Sequence, residues 1–233
     1  MRIPAPRMDG RPVPTPMVDY YLKLAEAVGC TAGSRRLELG VTEGDRRRAD
    51  EVWKNLGLRD DGCVIALNSS GAYGAAKLWP AEYFAELARR IVDELQHDVL
   101  VICGPAERKT AGEIAWLAAR DRVFSLADQH LGLSTSKGCL ARCRLAVSTD
   151  SGPRHIAAAL GKPVITLLGP TLPAWIDNPT VCGAHVRAKV DCLGCGRRQC
   201  PLGHHRCMKE LSPALVFGHV VATLNKHYSV WAA

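Results

Sequence analysis

The stretch RLAVSTDSGPRHIAAALGKPVITLLG, residues 144–169, carries a strand, a tight turn, a helix and a second strand in unbroken succession. RLAVS (144–148) is a short apolar run of the kind that forms a strand buried on both faces. TDSGPRHIAAALG (149–161) leaves that strand and enters a helix within a few residues. Asp150 and Ser151 offer oxygens that cap a helix start. Gly152 lets a ligand approach the backbone, and Pro153 opens a helix without wasting an N–H donor. Ala157–Ala159 are small enough for the helix to lie close on a sheet, and KPVITLLG (162–169) is the next strand. The first N–H groups of such a helix, with its positive dipole end, form a seat for a diphosphate, and His155 on the first turn adds a donor. The same pattern also describes a well-capped structural helix.

Working outward, the alternation of strands and helices continues. Upstream lie CVIAL (63–67), DVLVICG (98–104) and VFSL (123–126), each a strand candidate. Between them Pro80 opens a helix whose stripe is Phe84, Leu87, Ala88, Ile91 and Leu95, and PAERKTAGEIAWLAARD follows as another. A further helix is predicted over Ser134–Cys143, and PALVFGHVVATLNKHY (213–228) closes the chain as the last. Residues 170–211 read as irregular. Such alternation predicts an α/β fold with a doubly wound parallel sheet. Ligands then bind beyond the C-terminal strand ends, where the loops at 68–79, 104–109, 149–155 and 169–175 should gather.

Residues 1–16 are rich in Pro and Arg and are expected to be a disordered or linker-like start. Two helices are predicted over 17–60: MVDYYLKLAEAVG and EGDRRRADEVWKNLGL. The main domain is expected over 61–212, with a cysteine-rich segment at 192–207 and a C-terminal helix over 213–233. The formal charge of +7 suits an anionic partner such as a nucleotide or a phosphorylated glycolipid. Aromatics are only 6% and no Lys/Arg run interleaves with them, so nucleic acid is not the expected partner. With no secretory signal and no apolar run long enough to span a bilayer, a cytoplasmic protein is expected, peripheral to the inner membrane if its acceptor is a lipid.

The string D-S-G-P-x-H-x-A-A-A-L-G-K-P-V-I-T-L-L-G-P-T (150–171) resembles the signature of glycosyltransferase family 9, the ADP-heptose:lipopolysaccharide heptosyltransferases. The likeness extends to ALNSSGAYGAAKLWPAEYFAELARRI (66–91) and VLVICGPAER (99–108). It implies a GT-B architecture of two Rossmann-like domains, of which this chain is the C-terminal, nucleotide-sugar-binding half. Helix 17–29 corresponds to the end of the acceptor domain, and the general base lies in the half that is absent here. By position, the resemblance assigns Asp150, Ser151, Gly152 and His155 to diphosphate and sugar contacts. It assigns Ser69 and Ser70 to phosphate, Lys77 to the leaving diphosphate and Glu107 to the neighbourhood of the nucleoside. Without it, Lys77 reads equally as a solvated loop lysine and the serines as turn formers. The implied donor is an ADP-sugar, and the acceptor a lipid-anchored phosphorylated glycan. A separate N-terminal half is a further implied partner. No catalytic cofactor is required. The alternative is a nucleotide-binding module without turnover. A Rossmann oxidoreductase is disfavoured, because the loop after the first strand reads NSSGAYGAAK and lacks G-x-G-x-x-G.

Ten cysteines are present. Cys30, Cys63, Cys103, Cys139, Cys143 and Cys182 are scattered, several in apolar runs where a thiol behaves as a small hydrophobe. Cys192, Cys195, Cys200 and Cys207 are crowded together with His204 and His205. Their spacing allows a structural zinc, although it does not match a paired CxxC ribbon, and reduced thiols are the competing reading.

Overall fold

The computed structural model describes residues 7–8, 11–31, 33–71 and 74–228. Near the start, β1 (Arg7–Met8) pairs with β2 (Arg11–Pro12) as a two-residue antiparallel ladder, so part of the expected linker carries backbone pairing. The rest of 1–10 lies outside the described residues, as does 229–233 of the expected C-terminal helix. Helix α1 (Met17–Ala27) follows, and none of its residues is buried. Helix α2 (Glu43–Leu56) begins at a reciprocal cap in which Thr42 and Asp45 satisfy each other's backbone N–H groups, and it ends at Gly57 in the left-handed region.

Six parallel strands make the sheet: β3 (Val64–Asn68), β4 (Asp98–Ile102), β5 (Val123–Ser125), β6 (Leu145–Thr149), β7 (Val164–Leu168) and β8 (Gly183–Arg187). Their order is β5-β4-β3-β6-β7-β8. Counted within this sheet alone, that is 3-2-1-4-5-6, the doubly wound order whose direction reverses between its first and fourth strands. Helices α3 (Ala81–Leu95), α4 (Arg108–Ala118) and α9 (Pro213–Tyr228) pack together on one face. The other face is covered by α2, α5 (Leu133–Arg142) and α6 (Gly152–Ala159). Strands β3, β4, β6 and β7 are buried at every position, as the apolar runs predict.

One strand is new. Residues 170–211 were expected to be irregular, yet β8 pairs in parallel with β7 from Val164↔Gly183 to Leu168↔Arg187. It is an edge strand in which only Val186 is buried, and it therefore has no apolar run to announce it. Gly183 is required at its start, because at φ 131° a Cβ would run into the Val164 carbonyl of the neighbouring strand. Short helices α7 (Pro173–Ile176) and α8 (Arg206–Lys209) also lie within this region.

Candidate functional site

The carboxyl ends of β3 and β6 meet at the topological switch point, and there the polar side chains converge. Buried Asn68 ends β3 and donates to Ser148 Oγ and Ser151 Oγ, each at 2.9 Å. The Thr149 hydroxyl donates to the Ser70 carbonyl, stitching the two loops together. Lys77 closes a single 3-10 turn (Ala75–Lys77). Its ammonium donates to Asp150 Oδ2 at 2.6 Å and to the Asp150 carbonyl at 2.9 Å. Thr171, in the loop after β7, donates to the same Asp150 oxygen at 2.8 Å. Burial works against ionisation of Asp150, but the Lys77 bond and charge, with Thr171 and Arg154, outweigh it. Its carboxyl is held below the usual carboxylate range.

Neither predicted cap closes helix α6. Asp150 is occupied by Lys77 and Thr171. Ser151 takes the N-cap position in extended backbone, but its hydroxyl turns to Asn68 and Thr149, and no side chain caps the helix. The first N–H groups of α6 therefore face outward beside Gly152, where a Cβ would meet nothing within 4 Å. His155 on the first turn is exposed, and its pKa is lowered by desolvation and then by Arg154 and Lys77, against Asp150.

These groups line one cleft of about 910 Å³, a size suited to a nucleotide-sized ligand. Its polar wall includes Ser70, Lys77, Asp150, Ser151, Gly152 and His155. The opposite wall is largely apolar and is formed by α1, the loop after β7 and α7.

Two predicted contacts are placed elsewhere. Ser69 is 4% exposed and does not line the cleft, and its hydroxyl has no partner among the described residues. Ser70 lines the cleft, whereas its neighbour Ser69 is buried beside it. Glu107 is also set back from the cleft. It accepts from Ser70 Oγ and from the Gly104 N–H, both at 3.1 Å, and thus braces Ser70 from behind.

Sequence reasoning missed three residues. Asn68 and Thr171 belong to the quoted motifs but were given no role. Arg154 stood at a variable position of the signature and, as a helical charge, would ordinarily face solvent. It is instead 2% exposed, donates to Thr166 Oγ1 of β7 at 3.0 Å and reaches the Ile176 carbonyl of α7 at 3.3 Å. Buried guanidinium bonds of this kind tie α6 to the sheet and to the far wall of the cleft.

Cys192, Cys195, Cys200 and Cys207 surround a separate void of about 20 Å³. All ten cysteines are free thiols. Among the described residues no group of three or more His, Cys, Asp or Glu side chains is arranged to hold a metal ion. The four thiols range from buried Cys207 to exposed Cys195. Cys103, Cys139 and Cys143 are buried hydrophobes, as their apolar runs suggest. Burial pushes the first two thiols up to about 11 and about 12.

The profile of glycosyltransferase family 9 (heptosyltransferase) matches residues 7–205. Lipooligosaccharide heptosyltransferase 2 of Campylobacter jejuni is 31% identical over 68% of this chain and 50% of its own length. Lipopolysaccharide heptosyltransferase 2 of Escherichia coli K12 is 26% identical over 89% of the chain and 61% of its own length. The chain therefore spans about half to three-fifths of these curated relatives. Among solved structures, a family 9 glycosyl transferase from Veillonella parvula superposes with a TM-score of 0.75 at 21% identity, covering 95% of this chain and 63% of that one. An E. coli heptosyltransferase solved with ADP gives a TM-score of 0.57 at 23% identity, covering 85% and 53%. At such identities these structures establish the shared fold. With the profile spanning most of its length, this chain belongs to glycosyltransferase family 9, the heptosyltransferases.

Proposed function

We propose that this chain is the donor-binding half of an inverting heptosyltransferase, moving a heptose from ADP-heptose to a lipopolysaccharide core acceptor. One observation carries the reading: the uncapped start of α6 and the Lys77–Asp150 pair face the same cleft at the sheet's switch point. A diphosphate seated there receives the free N–H groups of α6 and the Lys77 ammonium. In the transfer step, the acceptor oxygen forms a bond to the anomeric carbon as the bond to the ADP phosphate oxygen breaks. Charge accumulates on the departing ADP, where Lys77 and the amides oppose it. That role is filled by protein groups, so the reading assigns no catalytic cofactor. A base takes the acceptor hydroxyl proton. Asp150 is committed to Lys77, and in this reading the base comes from the acceptor-binding half of the enzyme.

The proposed acceptor is a phosphorylated, lipid-anchored glycan, which the formal charge of +7 attracts. No described helix is long and apolar enough to cross a membrane, and the proposed encounter is peripheral, at the inner membrane surface. The test is heptose transfer from ADP-heptose by the chain alone and mixed with the acceptor-binding half of a relative. Product is expected in the mixture, reduced about 100-fold by Lys77→Ala. Donor binding without product in either case would leave only a nucleotide-binding module. Absence of donor binding would overturn the reading.

A further inference from the structure

The turn that carries Lys77 is gripped by the cysteine-rich segment, and the grip centres on Ala76. The Ala76 N–H donates to the Arg198 carbonyl at 3.0 Å. Its carbonyl lies 2.8 Å from His205 Nε2. A carbonyl only accepts, so this ring nitrogen carries the proton. Both backbone groups of the residue before Lys77 are therefore held by one strap. The fit is close, since a Cβ at Gly74 would run into the Arg198 carbonyl. His205 is itself held in a special conformation: its φ of 55° and ψ of 30° lie in the left-handed region, which a β-carbon disfavours. Its N–H donates to Cys200 Sγ at 3.4 Å. The helix it begins, α8, anchors in the core through buried Cys207 and Met208. A strained residue anchored on both sides, with its ring aimed at the neighbour of the cleft lysine, indicates a positioning role.

We propose that His205 is a positioning residue for Lys77: its Nε2–H, bonded to the Ala76 carbonyl, fixes the turn that aims the ammonium at Asp150 and the diphosphate. This rests on the donor-binding reading above. His205 does not line the cleft and acts through Ala76. The strap thereby links the thiol-lined void to the transfer site without any thiol entering the chemistry.

The test compares wild type, His205→Ala and His205→Gln, whose amide can donate from nearly the same place. Amide hydrogen exchange at residues 75–77 is followed without ligand, and ADP affinity by calorimetry. In His205→Ala, exchange at 75–77 should speed up and ADP should bind about fivefold more weakly, the loss of one hydrogen bond's worth of order. His205→Gln should restore both. In a Lys77→Ala background, His205→Ala should cost no further affinity. Equal losses in both backgrounds, or failure of Gln to restore, would overturn the proposal and leave His205 a general stability residue. If wild type fails to bind ADP, the donor-binding reading falls. The exchange data still decide whether His205 holds the turn. Should His205→Ala not fold, His205→Gly, which relieves the positive φ, replaces it in the comparison.

Discussion

Asp150 and Lys77 are only 10% and 14% exposed and form a close ion pair. Removing Lys77 leaves the Asp150 carboxylate without its ion-pair partner in a poorly hydrated place, at a cost of about 3 kcal/mol. Urea unfolding of Lys77→Met should show a loss of that order. Asp150→Asn should lose less, because the amide oxygen can still accept from the Lys77 ammonium and the Asp150 carbonyl bond is kept, and the loss in the double variant should fall well short of the sum. The pH dependence follows from the depressed Asp150 carboxyl. A carboxylate whose folded pKa lies below its unfolded value adds stability that is complete above about pH 4 and is lost as pH falls through the folded value. Asp45 acts in the same sense. It is held far below the usual range by Lys137 first, then by Ser134 and Thr42, against burial. Thermal melts should therefore be flat near neutrality and fall on acidification, with Asp150→Asn shrinking the acid-side loss. Lys77, Ser70 and Asp150, singled out in the sequence, all line the cleft. Ser69, named beside Ser70, is buried and lies off the cleft, a difference that two adjacent serines do not reveal. Arg154 was silent because burial of a guanidinium depends on partners 12 and 22 residues away.

At the scale of elements, apolar runs and helix stops were legible wherever burial is two-sided. The strands β3, β4, β6 and β7 were found by composition alone. Edge strand β8 was not, since a strand exposed on one side and polar in sequence carries little signal. The capping prediction at α6 failed for an instructive reason: the cap residues were spent on Asn68, Lys77 and Thr171, which leaves the helix start open to the cleft. Close helix packing offers its own test. Gly138 of α5 lies against α2, where a Cβ would strike the Asp45 carbonyl. Backbone cannot give way as a side chain can. Gly138→Ala should destabilise the protein by about 2–3 kcal/mol in denaturant titration, despite alanine's better helix propensity. An unchanged midpoint would show that the two helices are looser than described.

For the whole molecule, the doubly wound sheet puts the chemistry at one place, where the strand order reverses between β3 and β6. Loops separated by some 70 residues in sequence, at Lys77 and Asp150, meet there as the alternation of strands and helices requires. Donor binding depends in this proposal on the open start of α6 seating a diphosphate, and Gly152 allows that to be probed alone. A Cβ there meets nothing within 4 Å beyond its own helix and chain neighbours, so Gly152→Val should leave the melting temperature nearly unchanged while filling the space a phosphate would occupy. The deciding measurement is calorimetric titration of ADP into wild type and Gly152→Val. The account predicts binding to wild type and at least about tenfold weaker binding to the folded variant; equal affinity in the two would contradict it.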